Sequence, residues 1–158
     1  MVEIGNGLWC GNDADYEWTL GSTEKWAVVH ACKEPYHRKA VGYTGRSAPT
    51  DSAEYLWAYR CEELCLNLVD AEDVKYIPEA VIEEGLRFIR ARLADGKKVL
   101  VHCNQGRSRS AGMCMLYMAQ EGKFKGKTFM EAEDEMRNIY PMYSPAKGMR
   151  DYLRSHWR

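Results

Sequence analysis

The chain has 158 residues, enough for one domain that buries most of its apolar surface around a single core. Lysine and arginine number 22 against 23 aspartates and glutamates, a formal net charge of −1, which removes any global pull toward nucleic acid or an acidic membrane. Six cysteines behind an N-terminus (MVEIGNGLWC) with no cationic start or apolar stretch read as reduced thiols in a cytoplasmic protein, not as a secreted disulfide framework.

In chain order, VEI and LWC flank Gly5-Asn6-Gly7, a sequence suited to positive φ, and predict a hairpin over the first ten residues. DADYEWTL (13–20) starts acidic and has helical spacing. WAVVHA (26–31) is a short apolar run rich in β-branched residues and predicts a buried strand. Residues 36–52, YHRKAVGYTGRSAPTDS, turn polar and locally basic and read as a long loop, solvated or facing a substrate. LCLNLV (64–69) is another strand. Pro78 suits the first turn of a helix carrying Ile82, Leu86, Ile89 and Leu93 on one face, with Gly96 placed for its end.

KVLVH (98–102) predicts a strand and roughly 109–121 a helix ending near Gly122. Thr128 and Glu131 make a capping box for a helix that stops ahead of Pro141. Ser144-Pro145 open a last helix to about Trp157, and the acidic EAEDE of 131–135 reads as a solvated helix face. Strands alternating with helices predict a single α/β domain over 1–158, with a mainly parallel central sheet flanked by helices. The run AGMCMLYMA (111–119) is too short to span a bilayer, so no membrane insertion is expected. Cys61 and Cys65 stand four apart and the four histidines lack paired ligand spacing, so no metal and no other cofactor is expected.

The stretch VLVHCNQGRSRS (99–110) carries the chemistry. Cys103 sits at the carboxyl end of a strand, where α/β sheets bind ligands and helix N-termini offer free N–H groups. The N–H groups of Asn104, Gln105, Gly106, Arg107 and Ser108 can curl into a nest around a phosphate-sized anion. Gly106 relaxes the steric limit on that curl. Arg109 can reach back with a planar fork matched to two phosphate oxygens. The same field favours a thiolate nucleophile at Cys103. A merely buried cysteine would leave the glycine, arginine and serine unexplained, and chance supplies His-Cys-x-x-Gly-x-x-Arg-Ser/Thr at about 1 in 10⁵ or less in such a chain.

HCNQGRSRS resembles the His-Cys-x5-Arg-Ser/Thr signature of the protein tyrosine phosphatase superfamily, and the rest of the chain resembles the small dual-specificity phosphatases. EIGNGLWCGNDADYEWTL, VVHACKE and LNLVDAED look like that family's opening hairpin and helix, its next strand, and the strand and loop carrying its acid. The resemblance is strong over 97–122 and loose over 32–62. It implies a phosphocysteine mechanism on Cys103, phosphate held by residues 104–109, and Ser110 stabilising the thiolate as it leaves. His102 is expected to orient the loop.

A proton donor for the leaving oxygen is required. Asp70, Glu72 and Asp73 are the candidates, with Asp70, directly after the strand, ahead of Asp73 as the alternative acid. The expected partner is a phosphorylated protein or peptide. A phosphoinositide or RNA 5′-end substrate is the alternative within the same chemistry, toward which the extra cation Arg107 would bias the pocket. A non-catalytic phosphoprotein-binding pseudophosphatase is the alternative outside it. Oligomeric state is not legible in the sequence.

Overall fold

Short β-branched runs alternating with amphipathic stretches set the order of elements. The computed structural model describes residues 1–157. Val2–Gly5 (β1) and Leu8–Gly11 (β2) form the expected antiparallel hairpin, with Gly7 at φ +83° in its turn. Helix α1 (Asp13–Leu20) is started by a capping box: the Asn12 side chain accepts from Asp15 N–H at 3.1 Å, and the Asp15 carboxylate accepts from Asn12 N–H at 2.9 Å. β3 (Trp26–His30) follows, then α2 (Arg38–Val41), β4 (Trp57–Arg60), β5 (Glu63–Leu66) and the amphipathic α3 (Glu79–Ala94). β6 (Lys98–His102) leads to α4 (Arg109–Gln120), α5 (Phe129–Ile139), capped by Thr128 and Glu131 as expected, and α6 (Lys147–Ser155).

The six strands form one sheet in the order β1-β2-β6-β3-β5-β4. The four central strands run parallel, and an antiparallel strand closes each edge. The fold class expected from the sequence is therefore the one observed. Alternation along the strands sorts the side chains. Ala27, Val29, Val99 and Val101 join the large core with Ile82, Leu86 and Ile89 of α3 and Met113 of α4. Each fully buried valine, leucine, isoleucine or methionine among them stabilises the fold by about 1.5–3 kcal/mol. The intervening His30 and His102 lie against Tyr16 of α1.

The structure departs from the sequence reading at four points. Residues 36–52 are not all loop: Lys33–His37 form a π-type turn and Arg38–Val41 a short helix, ended by Gly42 at φ +91°. Distant partners specify that structure. Buried His37 reaches Tyr43 Oη at 2.9 Å and Glu54 O at 2.8 Å. β4 carries little β-branched signal and forms because β5 offers an antiparallel edge. The strand read at 64–69 leaves the ladder after Leu66. The fourth concerns EAEDE: Glu133 is 1% exposed, because Arg150 of α6 and Tyr143 supply its hydrogen bonds.

Candidate active site

β6 ends at His102 in the middle of the parallel strands, so Cys103 emerges at the carboxyl edge of the sheet, and α4 begins six residues later. The turn between them needs Gly106, whose φ is +72° and whose Hα faces Gly11 O and Tyr140 Oη so closely that a Cβ would meet both at 2.9 Å. Tyr140 donates its hydroxyl to Gly106 O at 2.6 Å and fixes the turn from below. Cys103 is 2% exposed, and its Sγ lies 3.2 Å from Ser110 Oγ on the first turn of α4. Ser110 Oγ also stands 3.3 Å from Gly11 O.

A cavity of about 280 Å³ opens over this loop, lined by Asp70, Cys103, Asn104, Gln105, Arg107, Ser108 and Arg109. Arg109 donates through Nη1 to Leu68 O at 3.1 Å and through Nη2 to Asn104 Oδ1 at 2.8 Å. Its Nε is buried and finds no acceptor among the described residues. A buried guanidinium donor without a partner is costly, and Arg109 also lines the cavity. Arg107 is exposed on the rim, and no ion pair holds it among the described residues.

The three acidic candidates separate. Asp70 Oδ1 accepts from Ser108 Oγ at 2.7 Å and lines the cavity. Ser108 Oγ in turn accepts from Ala146 N–H at 2.9 Å. The stretch before α6 and its first turn also fasten both loops: Ser144 N–H donates to Arg107 O at 2.8 Å and Gly148 N–H to Ala71 O at 3.1 Å. Asp73 points elsewhere, accepting from Lys75 N–H at 3.0 Å as the cap of a 3₁₀ turn, Val74–Tyr76. Glu72 is exposed and takes no part in the cavity lining.

His102 is fully buried beneath the loop. Burial, with His30 and then Arg109 adding to it, pushes its pKa down to about 3, so the ring is neutral. Its Nδ1 lies 3.4 Å from Cys103 O, a contact only a ring N–H can make, which leaves Nε2 to accept from His30 Nδ1 at 2.6 Å. His30 Nε2 reaches Glu63 Oε1 at 2.5 Å, and Tyr16 donates to the same oxygen at 2.9 Å. This chain of side chains runs beneath the loop, and none of its members lines the cavity. Sequence reasoning missed His30, Glu63, Tyr16, Asp13 and Tyr36 as its supports. One signal was available: both WAVVH and KVLVH end on histidine, and the parallel register pairs His30 with His102.

The dual specificity phosphatase catalytic domain model matches residues 49–156. Dual specificity protein phosphatase PHS1 of Arabidopsis thaliana is 34% identical over 82 residues, which is 52% of this chain and 8% of that protein. Human dual specificity protein phosphatase 5 is 38% identical over 71 residues, 45% of this chain and 18% of that protein. The chain thus spans well under two thirds of the curated relatives it matches. Among solved structures, that of DUSP15 superposes with a TM-score of 0.65 at 17% identity, covering 98% of this chain and 85% of that one. Human DUSP28 gives 0.62 at 19% identity, covering 98% and 94%. These likenesses show the fold.

Proposed function

Because the chain belongs to the dual specificity phosphatase catalytic domain family, with more than half its length matched, we propose that it hydrolyses phosphomonoesters of phosphorylated proteins or peptides, as one catalytic domain over residues 1–158. The observation that carries this reading is the convergence of Cys103, Arg109 and Asp70 on one cavity at the carboxyl edge of the sheet.

Cys103 attacks phosphorus as a thiolate, forming the S–P bond as the ester P–O bond breaks. The loop amides of 104–108 and the Arg109 fork bind the equatorial oxygens, where charge develops. Asp70, reaching in from the loop opposite, gives its proton to the departing alcohol or phenol. Ionised, it then takes a proton from the water that attacks the phosphocysteine. Ser110, 3.2 Å from Sγ, donates to the thiolate that leaves in this second step. His102 and the residues behind it hold the loop in shape. The scheme uses side chains and backbone alone, without metal or organic cofactor.

The test is turnover of an aryl phosphate by wild type and Cys103→Ser. The serine variant should bind phosphate esters and hydrolyse none, because its hydroxyl is not ionised at neutral pH. Hydrolysis by Cys103→Ser at the wild-type rate would end the covalent mechanism. Binding without hydrolysis by wild type would favour the pseudophosphatase reading. Arg107, exposed on the rim without an ion pair among the described residues, supports a second reading, in which a more highly charged ester such as a phosphoinositide or an RNA 5′ end is the substrate. A panel of phosphopeptides, phosphoinositides and triphosphorylated RNA separates the two.

A further inference from the structure

Three atoms able to ligate a metal converge below the phosphate loop. Asp13 opens α1, Cys32 follows β3 and His102 ends β6, so no local spacing in the sequence announces them. One ligand atom from each lies within 4.8 Å of the others, and His102 Nδ1 is 3.6 Å from Asp13 Oδ1. Tetrahedral zinc, with bonds of about 2.0–2.3 Å, holds its ligands about 3.3–3.7 Å apart. Asp13 Oδ1 and His102 Nδ1 already stand at that spacing, and the gap left to the Cys32 thiol, at most about 1 Å, is within reach of a small side-chain rotation. Among the described residues no other trio of His, Cys, Asp or Glu meets this geometry.

The surroundings hold the donors in place. His102 Nε2 is fixed by His30, and His30 by Glu63. Asp13 Oδ1 accepts from Tyr36 Oη at 2.7 Å, and its Oδ2 accepts from Asn104 Nδ2 at 3.3 Å. Outer partners of this kind orient metal ligands and raise their basicity. Cys32 is 0% exposed, and its Sγ makes no hydrogen bond among the described residues. The hydrolytic scheme gives that thiol no task. A thiolate, an imidazole and one carboxylate together select zinc over calcium or magnesium.

We propose that Asp13, Cys32 and His102 bind a zinc ion that reversibly switches off the neighbouring phosphatase site. On binding, Cys32 gives its thiol proton to the buffer. The His102 Nδ1 proton leaves as well, and the proton shared between the two histidine rings comes to rest on Nε2. Water fills the fourth position. The metal takes Nδ1 away from Cys103 O and draws Asp13 from Asn104, whose Oδ1 holds Arg109 Nη2 at 2.8 Å. The phosphate loop thereby loses two of its supports.

The inhibitory half of this proposal rests on the phosphatase reading; the metal site does not. Binding is therefore read on Cys103→Ser, which has no turnover and no competing catalytic thiol. Titrated with cobalt(II), it should take one equivalent with a thiolate-to-cobalt charge-transfer band, which zinc then abolishes by displacement. Adding Cys32→Ser should remove the band and weaken zinc by about tenfold or more, a scale that even outer-shell losses reach. Asp13→Asn should keep the band and weaken zinc comparably, which covers the case in which the cysteine variant fails to fold. In the chain with Cys103 intact, zinc should inhibit hydrolysis, EDTA should restore it, and Cys32→Ala should be inhibited far less. Unchanged zinc affinity in both the Cys32 and the Asp13 variants overturns the site. Zinc bound there with undiminished turnover overturns the switch.

Discussion

Two acidic stretches, DAED at 70–73 and EAEDE at 131–135, look alike in sequence and end in opposite environments. In the first, Asp70 stays solvent-exposed and has one side-chain partner, the neutral hydroxyl of Ser108. In the second, Glu133 is buried and receives three hydrogen bonds from Arg150 and one from Tyr143, with Arg137 at 3.9 Å. Burial alone would raise the Glu133 pKa, but the Arg150 and Tyr143 hydrogen bonds outweigh it and hold the group below 4.5. A fixed cation locks a carboxylate in its charged form. A carboxyl that must carry a proton in one step and accept one in the next is better served by a neutral partner and open water. The partners, not the acidic run, separate chemistry from structure.

The sharpest way to break this contrast is at Asp70. An alkoxide leaves poorly without a proton, whereas an activated phenolate departs unaided. Asp70→Ala should cost about 10²-fold or more with a phosphopeptide or alkyl phosphate, the scale of a positioned acid. It should cost clearly less with a nitrophenyl-type ester, and the alkaline limb of the pH–rate profile should flatten. Equal losses on both esters would mean that Asp70 acts through Ser108 on the loop's shape instead of donating a proton.

Legibility in the sequence divides along the same line. The loop 103–109 is local: its glycine, its arginine and the helix start that follows all lie within seven residues, so the sequence motif and the geometry are one object. The strands and helices around it follow from apolar period, caps and glycines. Its supports are non-local. Asp13 reads as a helix opener, Glu63 as the residue before a strand and His30 as part of one, and only the registers of β2 and β3 on β6 and of β5 on β3 bring them together. Glu133 likewise sits at an ordinary helix position until α6 delivers Arg150. No pattern within a single segment encodes these meetings, which is also why the Asp13, Cys32 and His102 cluster escapes a search by ligand spacing.

Glu133 is the next test, with an effect on stability and not on chemistry. Glu133→Gln keeps the size and loses the charge. Because Arg150 is 38% exposed and Glu133 only 2%, the cost should fall between that of an exposed pair, ~1 kcal/mol, and that of a buried one, ~3–5 kcal/mol; about 2 kcal/mol is expected. That is about 6 °C in Tm for a chain of this length. The group's pKa is lower folded than unfolded, so its contribution is fully present above the unfolded value near 4.5 and disappears as pH falls through the folded value. The stability gap between wild type and Glu133→Gln should therefore be flat through neutral pH and shrink in acid. A gap that persists unchanged well below pH 4 would mean that packing and not charge holds Glu133.

Asp73 should give the smallest effect and the cleanest comparison, because it lies three residues from Asp70 with the same side chain. Its carboxylate caps a 3₁₀ turn at 3.0 Å from Lys75 N and lies 3.8 Å from Lys75 Nζ, and both side chains are more than half exposed. Asp73→Ala should cost about 0.5–1 kcal/mol of stability for the lost cap, with turnover nearly unchanged on every ester. Asp73→Asn, which keeps an acceptor for the cap, should recover most of that. A leaving-group-dependent loss at Asp73 instead of Asp70 would require the loop to slide by one turn in the working enzyme. The Gly148 N–H to Ala71 O bond opposes that movement: Gly148 lies so close to Ala71 O that a side chain there would collide with it, so the loop is pinned between the two acids. Asp70 is held toward the cavity and Asp73 toward solvent by the same contact.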